Sequence, residues 1–369
     1  MTGVSQNGGL DGNTSAGLND IILVKHDSDG VKQWARQIGT SAYEEGYGIA
    51  ADSVGNIYVS GRTSGGLDGT NLGNYDAIVM KYDNAGNQLW VQQFGTSAWE
   101  ESHGIAIDSS GNVYVAGHTK GGLEGNINAG REDVFLVKYN SSGLKQWTQQ
   151  LGTYTHDYMS SITTDSNGNI YVTGSTGGGL DGNTFAGGGF DVFVVKYNSS
   201  GVKQWTRQMG TSTWESAFGI TTDSSGDVYL TGSTWGSLGG NTNAGYKDLF
   251  VVKYDSFGVV QWTKQMGTSS DDLGLGITTD SNGNAYVAGY TNGDLDGNVS
   301  AGDDDIFIVK YSGAGVKQWT KLLGSSALDY GKGITVDTND KIYLTGYTEG
   351  DLDGNGNAGS EDIFIMKLK

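Results

Sequence analysis

Six carboxylates recur at one point of a repeated segment: Glu44, Glu100, Asp157, Glu215, Asp272 and Asp329. If the repeats surround an axis, these acids share one rim and form a site for a cation or a cationic ligand. Their oxygen donors suit Ca2+, which takes six to eight. The same acids can instead cap backbone N–H groups of their own loops. One acid in every repeat favours that structural role. A second acidic pattern, D-G-N-x-x-A-G-x-x-D, pairs Asp11 with Asp20, Asp181 with Asp191, Asp296 with Asp305 and Asp353 with Asp362. Two carboxylates and an Asn carbonyl in a glycine-rich loop again fit Ca2+. Glu124 and Gly239 break the pattern, no D-x-D-x-D spacing is present, and an Asx turn followed by a strand-start cap accounts for the same residues. Ca2+ is the one cofactor these patterns raise.

The residue before each recurring acid varies: Tyr43, Trp99, His156, Trp214, Asp271 and Leu328. Variation on a fixed scaffold is where specificity sits. A flat ring beside a hydrogen-bonding acid is a platform for a sugar or a peptide, although drift at an exposed position gives the same appearance. The rim therefore offers Tyr43/Glu44, Trp99/Glu100, His156/Asp157 and Trp214/Glu215, with Asp272 and Asp329, as ligand-binding residues for a protein or carbohydrate. An enzymatic reading would use His103, His118 and Glu100, since His103 and His118 fall in one repeat. No H-x-x-x-H, G-x-S-x-G, P-loop or H-E-x-x-H pattern supports it.

Composition narrows the partners. The net charge of −19 repels nucleic acid and anionic lipid. No run of 18 apolar residues predicts a membrane span, and residues 1–9 lack the charged-then-apolar pattern of a signal peptide. Cysteine is absent, so disulfides and thiolate metal sites are excluded. Aromatic content of 11% argues for a packed core rather than disorder.

The elements that position these residues follow from a repeat of roughly 57 residues. Trp34, Trp90, Trp147, Trp205, Trp262 and Trp319 mark it, and G-G-L-D-G-N and its variants return with the same period. Each repeat holds four strand-length apolar stretches, a to d, separated by turn residues. Stretch c is an unbroken apolar run, as in residues 134–137 and 249–252, where a strand with one wet face would alternate. Both faces are therefore covered. Short hairpins make the sheets antiparallel, and stacked antiparallel sheets of this kind form an all-β propeller. The six Trp are expected to pack between blades.

On these residues the repeats resemble the SBBP repeat, named for a seven-bladed beta-propeller. The resemblance lies in G-I-x-x-D-S-x-G-N-x-Y-V-x-G-x-T, as at residues 219–234, in D-x-F-x-V-K-Y and in the G-T-S-x-x-E/D turn. A looser similarity links the a–b hairpin to NHL-type propeller repeats. The resemblance implies a propeller fold and an exported or cell-surface, bacterial-type setting; it implies no reaction. Family members often carry Pro in the b–c loop, whereas this chain has none.

Strands a, b and d occur six times in full and strand c seven times. The expectation is one domain over residues 1–369 with six four-stranded blades, seven being the alternative. Residues 32–38 would complete the last blade and close the ring. One strand c, Asp20–Val24 or Asp362–Met366, would then be surplus and free to pair with a second molecule. The expected function is noncatalytic recognition of a protein or glycan at the variable rim. A structural module of a larger surface protein and a propeller lyase or hydrolase are the alternatives.

Overall fold

The computed structural model describes residues 2–6, 8–357 and 359–368. Among them, 26 strands form seven sheets. Sheet 1 contains β1 (Thr2–Gln6), β2 (Asn19–His26) and β3 (Lys32–Ile38). Sheet 2 contains β4 (Glu44–Ala51), β5 (Ile57–Thr63), β6 (Asp76–Tyr82) and β7 (Gln88–Phe94). Sheet 3 contains β8 (Glu100–Ile107), β9 (Val113–Thr119), β10 (Asp133–Tyr139) and β11 (Lys145–Leu151). Sheet 4 contains β12 (Asp157–Thr164), β13 (Ile170–Thr176), β14 (Asp191–Tyr197) and β15 (Lys203–Met209). Sheet 5 contains β16 (Glu215–Thr222), β17 (Val228–Thr234), β18 (Asp248–Tyr254) and β19 (Val260–Met266). Sheet 6 contains β20 (Asp272–Thr279), β21 (Ala285–Thr291), β22 (Asp305–Tyr311) and β23 (Lys317–Leu323). Sheet 7 contains β24 (Asp329–Val336), β25 (Ile342–Thr348) and β26 (Asp362–Leu368). Strands follow chain order within each sheet.

Seven blades replace the expected six. The cause is the partner chosen by the first strand d. β3 pairs with β2 from Ile21↔Ile38 to His26↔Lys32, and β2 pairs with β1. β3 thus belongs to sheet 1 and does not complete sheet 7, where β26 pairs with β25. Neither copy of strand c is surplus, since β2 is the centre of sheet 1 and β26 an edge of sheet 7. The chain forms two compact lobes: residues 1–172 with 176–182 and 197–203, and residues 173–175 and 183–196 with 204–369.

The a–b hairpin explains the D-S-x-G-N-x-Y motif. Asp108 Oδ1 accepts from the Ser110 and Asn112 amides, and Oδ2 accepts from the Asn112 side chain at 2.8 Å and the Tyr114 hydroxyl at 2.9 Å. One carboxylate therefore shapes the turn and anchors a buried Tyr. Asp52, Asp165 and Asp280 do the same with Tyr58, Tyr171 and Tyr286.

Sheets pack through strand c. Ala77 and Val79 of β6 meet Phe135 and Val137 of β10, and Leu249 and Val251 of β18 meet Phe307 and Val309 of β22. Each such Val, Leu or Phe side chain, fully buried, stabilises by about 1.5–3 kcal/mol relative to exposure. The apolar residues of β6, β10, β14, β18 and β22 are buried on both faces, as their unbroken runs predict. β26 departs from this: Phe364 and Met366 join the sheet 6 core, while Ile363 and Ile365 are 58% and 41% exposed.

A clamp recurs at the sheet junctions. Trp90 Nε1 and Lys81 Nζ both donate to the Ser141 carbonyl in the next sheet's c–d turn, at 3.4 and 3.0 Å. Trp34 and Lys25 hold the Asn84 carbonyl, Trp205 and Lys196 that of Ser256, and Trp262 and Lys253 that of Gly313. Gly143 closes the receiving turn at φ +83°, and a Cβ there would lie 3.0 Å from the Trp90 ring. Glycine is required both by the left-handed backbone and by the indole of the preceding sheet. The expected packing role of the repeated Trp is thereby explained.

Candidate functional site

The six recurring acids are wholly buried. Glu100 Oε2 accepts from the Thr96 amide at 2.6 Å, and Oε1 accepts from the Thr96 and Thr119 hydroxyls at 2.8 and 2.7 Å. Glu44 is held by Thr40 and Thr63, Glu215 by Thr211 and Thr234, and Asp272 by Thr268 and Thr291. Thr153 caps Asp157 and Ser325 caps Asp329. The acids are loop caps, the structural alternative left open by the sequence.

A second acid lies beneath each rim position. Asp20, Asp76, Asp133, Asp191, Asp248 and Asp305 open strand c, all at most 1% exposed. Each accepts a loop amide through Oδ2, as Asp76 does from Leu72, and the first five also hold a strand-d Gln, as with Gln93. A Cβ on Gly95 would lie 2.6 Å from both Asp76 Oδ1 and Glu100 Oε2. Two carboxylates converge on that glycine, which accounts for the Gly before the recurring Thr. Burial raises the Asp157, Asp191 and Asp272 carboxyls, and the charges of Asp133, Glu215 and Asp248 add to it against the hydrogen bonds they accept.

The Asp pairs of the b–c loops divide in the same way. Asp11 and Asp181 pair with Lys32 and Lys203 at 2.5 Å, and Asp296 pairs with Lys317. Asp20, Asp191 and Asp305 are the buried caps just described. The first acid adopts a left-handed backbone, φ +54° to +58° at Asp11, Asp181, Asp296 and Asp353. This explains why Gly239, φ +61°, stands there in sheet 5, where Val260 also replaces the partner Lys. Asp353 precedes the strand opened by Asp362.

A different set lines the rim, at positions where the repeats disagree: the residues flanking the buried acid, the strand-a bulge and the end of strand b. The bulge falls at Tyr47, His103, Phe218, Leu275 and Lys332. Bulges re-aim a side chain, and here they hold five different residues.

In the first lobe these positions form a polar and aromatic network. Arg62 pairs with Glu45 at 2.7 Å and Glu101 at 2.5 Å, and lies over Tyr75, 4.4 Å from its centroid. Glu101 Oε2 is 3.1 Å from His103 Nε2. The His103 ring stacks on Tyr47 at 4.8 Å and on His118 at 4.9 Å. Tyr75 stacks on Trp99, and Lys120 lies over that indole and 3.4 Å from Glu132. Glu132 holds His156, which also contacts Tyr158. Burial alone would raise the Glu101 carboxyl, but the His103 hydrogen bond and the charges of Arg62 and His118 hold it down to about 2. Burial and the charge of His103 push the His118 imidazole down to about 4.

In the second lobe the same positions form a trough of 860 Å³, lined by Trp214, Phe218, Trp235, Lys247 and Leu273 with the Ser216 and Ser233 hydroxyls. Trp214 and Trp235 are 54% and 45% exposed. An adjoining hollow of 570 Å³ is lined by Tyr246, Asp271, Tyr290, Asp304 and Tyr330. Lys247 links the two, 3.2 Å from Asp271 and over the Trp235 ring.

Of the rim residues read from sequence, Trp99, His156 and Trp214 join these surfaces, and Tyr43 is exposed beside its buried neighbour Glu44. His103 and His118 do approach each other, with Glu101 rather than Glu100. Arg62, Glu101, Lys120, Glu132, Trp235 and Lys247 were missed. Their signal was available in the aligned repeats, where Glu101 and His118 match Ser216 and Ser233.

Stacked antiparallel sheets with a repeated interior and, in each lobe, a variable rim define a propeller-repeat scaffold. Six segments, residues 33–68, 89–124, 146–181, 204–240, 261–296 and 318–358, match the SBBP beta-propeller repeat and together cover more than half of the chain. The chain belongs to that family. It is 28% identical over 356 residues to the regulatory protein FlaEY of Caulobacter vibrioides, covering 85% of this chain and 37% of that protein. It is 32% identical over 126 residues to an uncharacterized WD repeat-containing protein of Acanthamoeba polyphaga mimivirus, covering 30% of this chain and 9% of that protein. The chain thus spans well under half the length of these relatives. Among solved structures, the Pan2 WD40 domain of Neurospora crassa superposes with a TM-score of 0.53 at 11% identity, over 90% of this chain and 80% of that one. That likeness concerns the fold. Among the described residues no helix is long and apolar enough to cross a membrane.

Proposed function

We propose that the chain is a noncatalytic recognition scaffold whose variable rim binds a protein, with the aromatic trough of the second lobe as the main contact. The observation that carries this reading is the exposure of Trp214 and Trp235, both of which line that trough. Large aromatic side chains in a pocket with hydroxyls and one cation supply most of the energy at recognition surfaces. They occupy positions that the fold does not need to keep constant. The naming of the Caulobacter relative as a regulatory protein agrees with a binding role. An exported or cell-surface setting belongs to the same proposal. The flat faces of the two indoles also favour a carbohydrate as a second reading.

The test is a pull-down and a glycan array with the native chain and a Trp214→Ala/Trp235→Ala variant. The expected result is a loss of binding of roughly tenfold or more in the variant, the size seen at interface hot spots. Binding that survives unchanged removes the trough from the site.

A further inference from the structure

We propose that Glu101, His103 and His118 form a binding site for one divalent transition cation of the zinc class. The three residues offer ligand atoms that lie within 4.8 Å of one another. Two imidazoles and one carboxylate match the donors that Zn2+ prefers, and three protein ligands leave a fourth position for water or another donor. Bonds of about 2.0–2.2 Å at tetrahedral angles place ligand atoms roughly 3.3 Å apart. Glu101 Oε2 and His103 Nε2 are already 3.1 Å apart.

The surroundings prepare each ligand. Arg62 holds Glu101 Oε1, which leaves Oε2 directed at His103. Glu45 shares that guanidinium, so Arg62 does not leave the site with net positive charge. Such outer partners orient ligands and tune their affinity. Nδ1 of His118 is buried and has no hydrogen-bond partner. This is a costly state for a ring nitrogen, and the other residues of the rim do not relieve it. Among the described residues the constellation occurs in sheet 3 alone. The matching residues are Glu45, Tyr47 and Arg62 in sheet 2, and Ser216, Phe218 and Ser233 in sheet 5. A purely structural role would recur with the repeat, whereas this set does not.

One adjustment is required. The His103 and His118 rings are stacked with 18° between their planes, and near-parallel rings cannot both aim lone pairs at one point. Cation binding must turn one of them, and His103, whose side chain is 29% exposed, has room to move. The stack on Tyr47 would then open.

The experiment is calorimetric titration of the full chain with ZnCl2 in chelator-treated buffer, with CaCl2 in parallel. One Zn2+ per chain is expected, with at least a tenfold loss of affinity in His103→Ala and in Glu101→Gln, and no saturable Ca2+ binding at these residues. His26→Ala serves as the control and retains binding. Two-dimensional NMR of the imidazoles should show the His103 and His118 resonances moving together at one equivalent. Absence of Zn2+ binding to the native chain overturns the proposal, as does binding unchanged in His103→Ala. Because His103 is partly exposed, its variant decides the matter even if substitution at His118 disturbs folding.

Discussion

The rims of the two lobes are built on one scaffold and present opposite chemistry. In the first lobe, Arg62, Glu101, Glu132 and Lys120 bind one another and cover Trp99 and Tyr75. In the second, Trp214 and Trp235 line a trough with about half of each side chain exposed, and Lys247 is the cation that bridges to Asp271. The backbone positions correspond, and so do the buried acids underneath. The surface is therefore set by a few side chains per repeat, while the interior that carries them is held constant.

The strongest way to break this comparison is to attack the part held in common. Glu100→Ala strands the Thr96 amide and two hydroxyls, and Glu215→Ala the Thr211 amide and three hydroxyls, a loss on the order of 3 kcal/mol or more in each case. Urea unfolding should give similar losses for the two. A large difference would show that the lobes do not share one interior design. Next in size is the contrast between the indoles themselves. Trp99→Ala removes a ring stacked on Tyr75 and covered by Lys120 and should cost about 1–2 kcal/mol. Trp214→Ala removes a ring that is 54% exposed and meets Phe190 edge-on, and should cost less, about 0.5–1 kcal/mol. Thermal melts of both variants measure this, and equal costs would mean that the second rim is packed as tightly as the first.

The smallest effect is in the pH dependence and separates buried caps from turn acids. The Asp157 and Asp272 carboxyls are raised above their ordinary value, so protonation favours the folded chain. Their contribution is present below the unfolded value, near 4, and is lost as pH rises through the folded value. Asp108 and Asp280 behave in the opposite sense. Burial would raise them, but the Asn side chains and backbone amides they accept from outweigh it and lower them. Their stabilisation is present above the unfolded value and fades as pH falls through the folded one. Asp157→Asn should therefore gain on the native chain as pH climbs from about 4 to 7, the range above the unfolded carboxyl value. Asp108→Asn should lose most at pH 7, near-neutral conditions where a lowered carboxylate is fully ionised. Unfolding curves across that range that run parallel for both variants would contradict the assignment.

Much of this was legible in the residues. The unbroken apolar runs placed strand c, and the D-S-x-G-N-x-Y motif marked the a–b hairpin. The blade number was not legible, because a strand d such as residues 32–38 looks the same whether it pairs with β2 or with β26. Thr2–Gln6, with Val4 as its only large apolar residue, gave too weak a signal for a full pairing partner. Burial of the acids was also hidden, since a carboxylate satisfied by neighbouring amides and hydroxyls has the composition of an exposed one. A signal did exist in the Thr or Ser four residues before every acid, from Thr40 and Glu44 to Ser325 and Asp329. The Glu101, His103 and His118 cluster depended on cross-strand register and a bulge, which neighbouring residues in sequence do not specify.

The junction clamp bears on how such a chain can be inherited. Trp and Lys reach for a main-chain oxygen, which any residue at the receiving turn supplies: Asn84, Ser141, Ser256 and Gly313 all serve, the Asn84 side chain adding a second contact to Lys25. A duplicated segment inserted between two existing ones would meet an acceptable partner on each side without compensating substitutions. Copy number can then change by recombination alone, and each new copy starts with its outward-facing residues free to diverge.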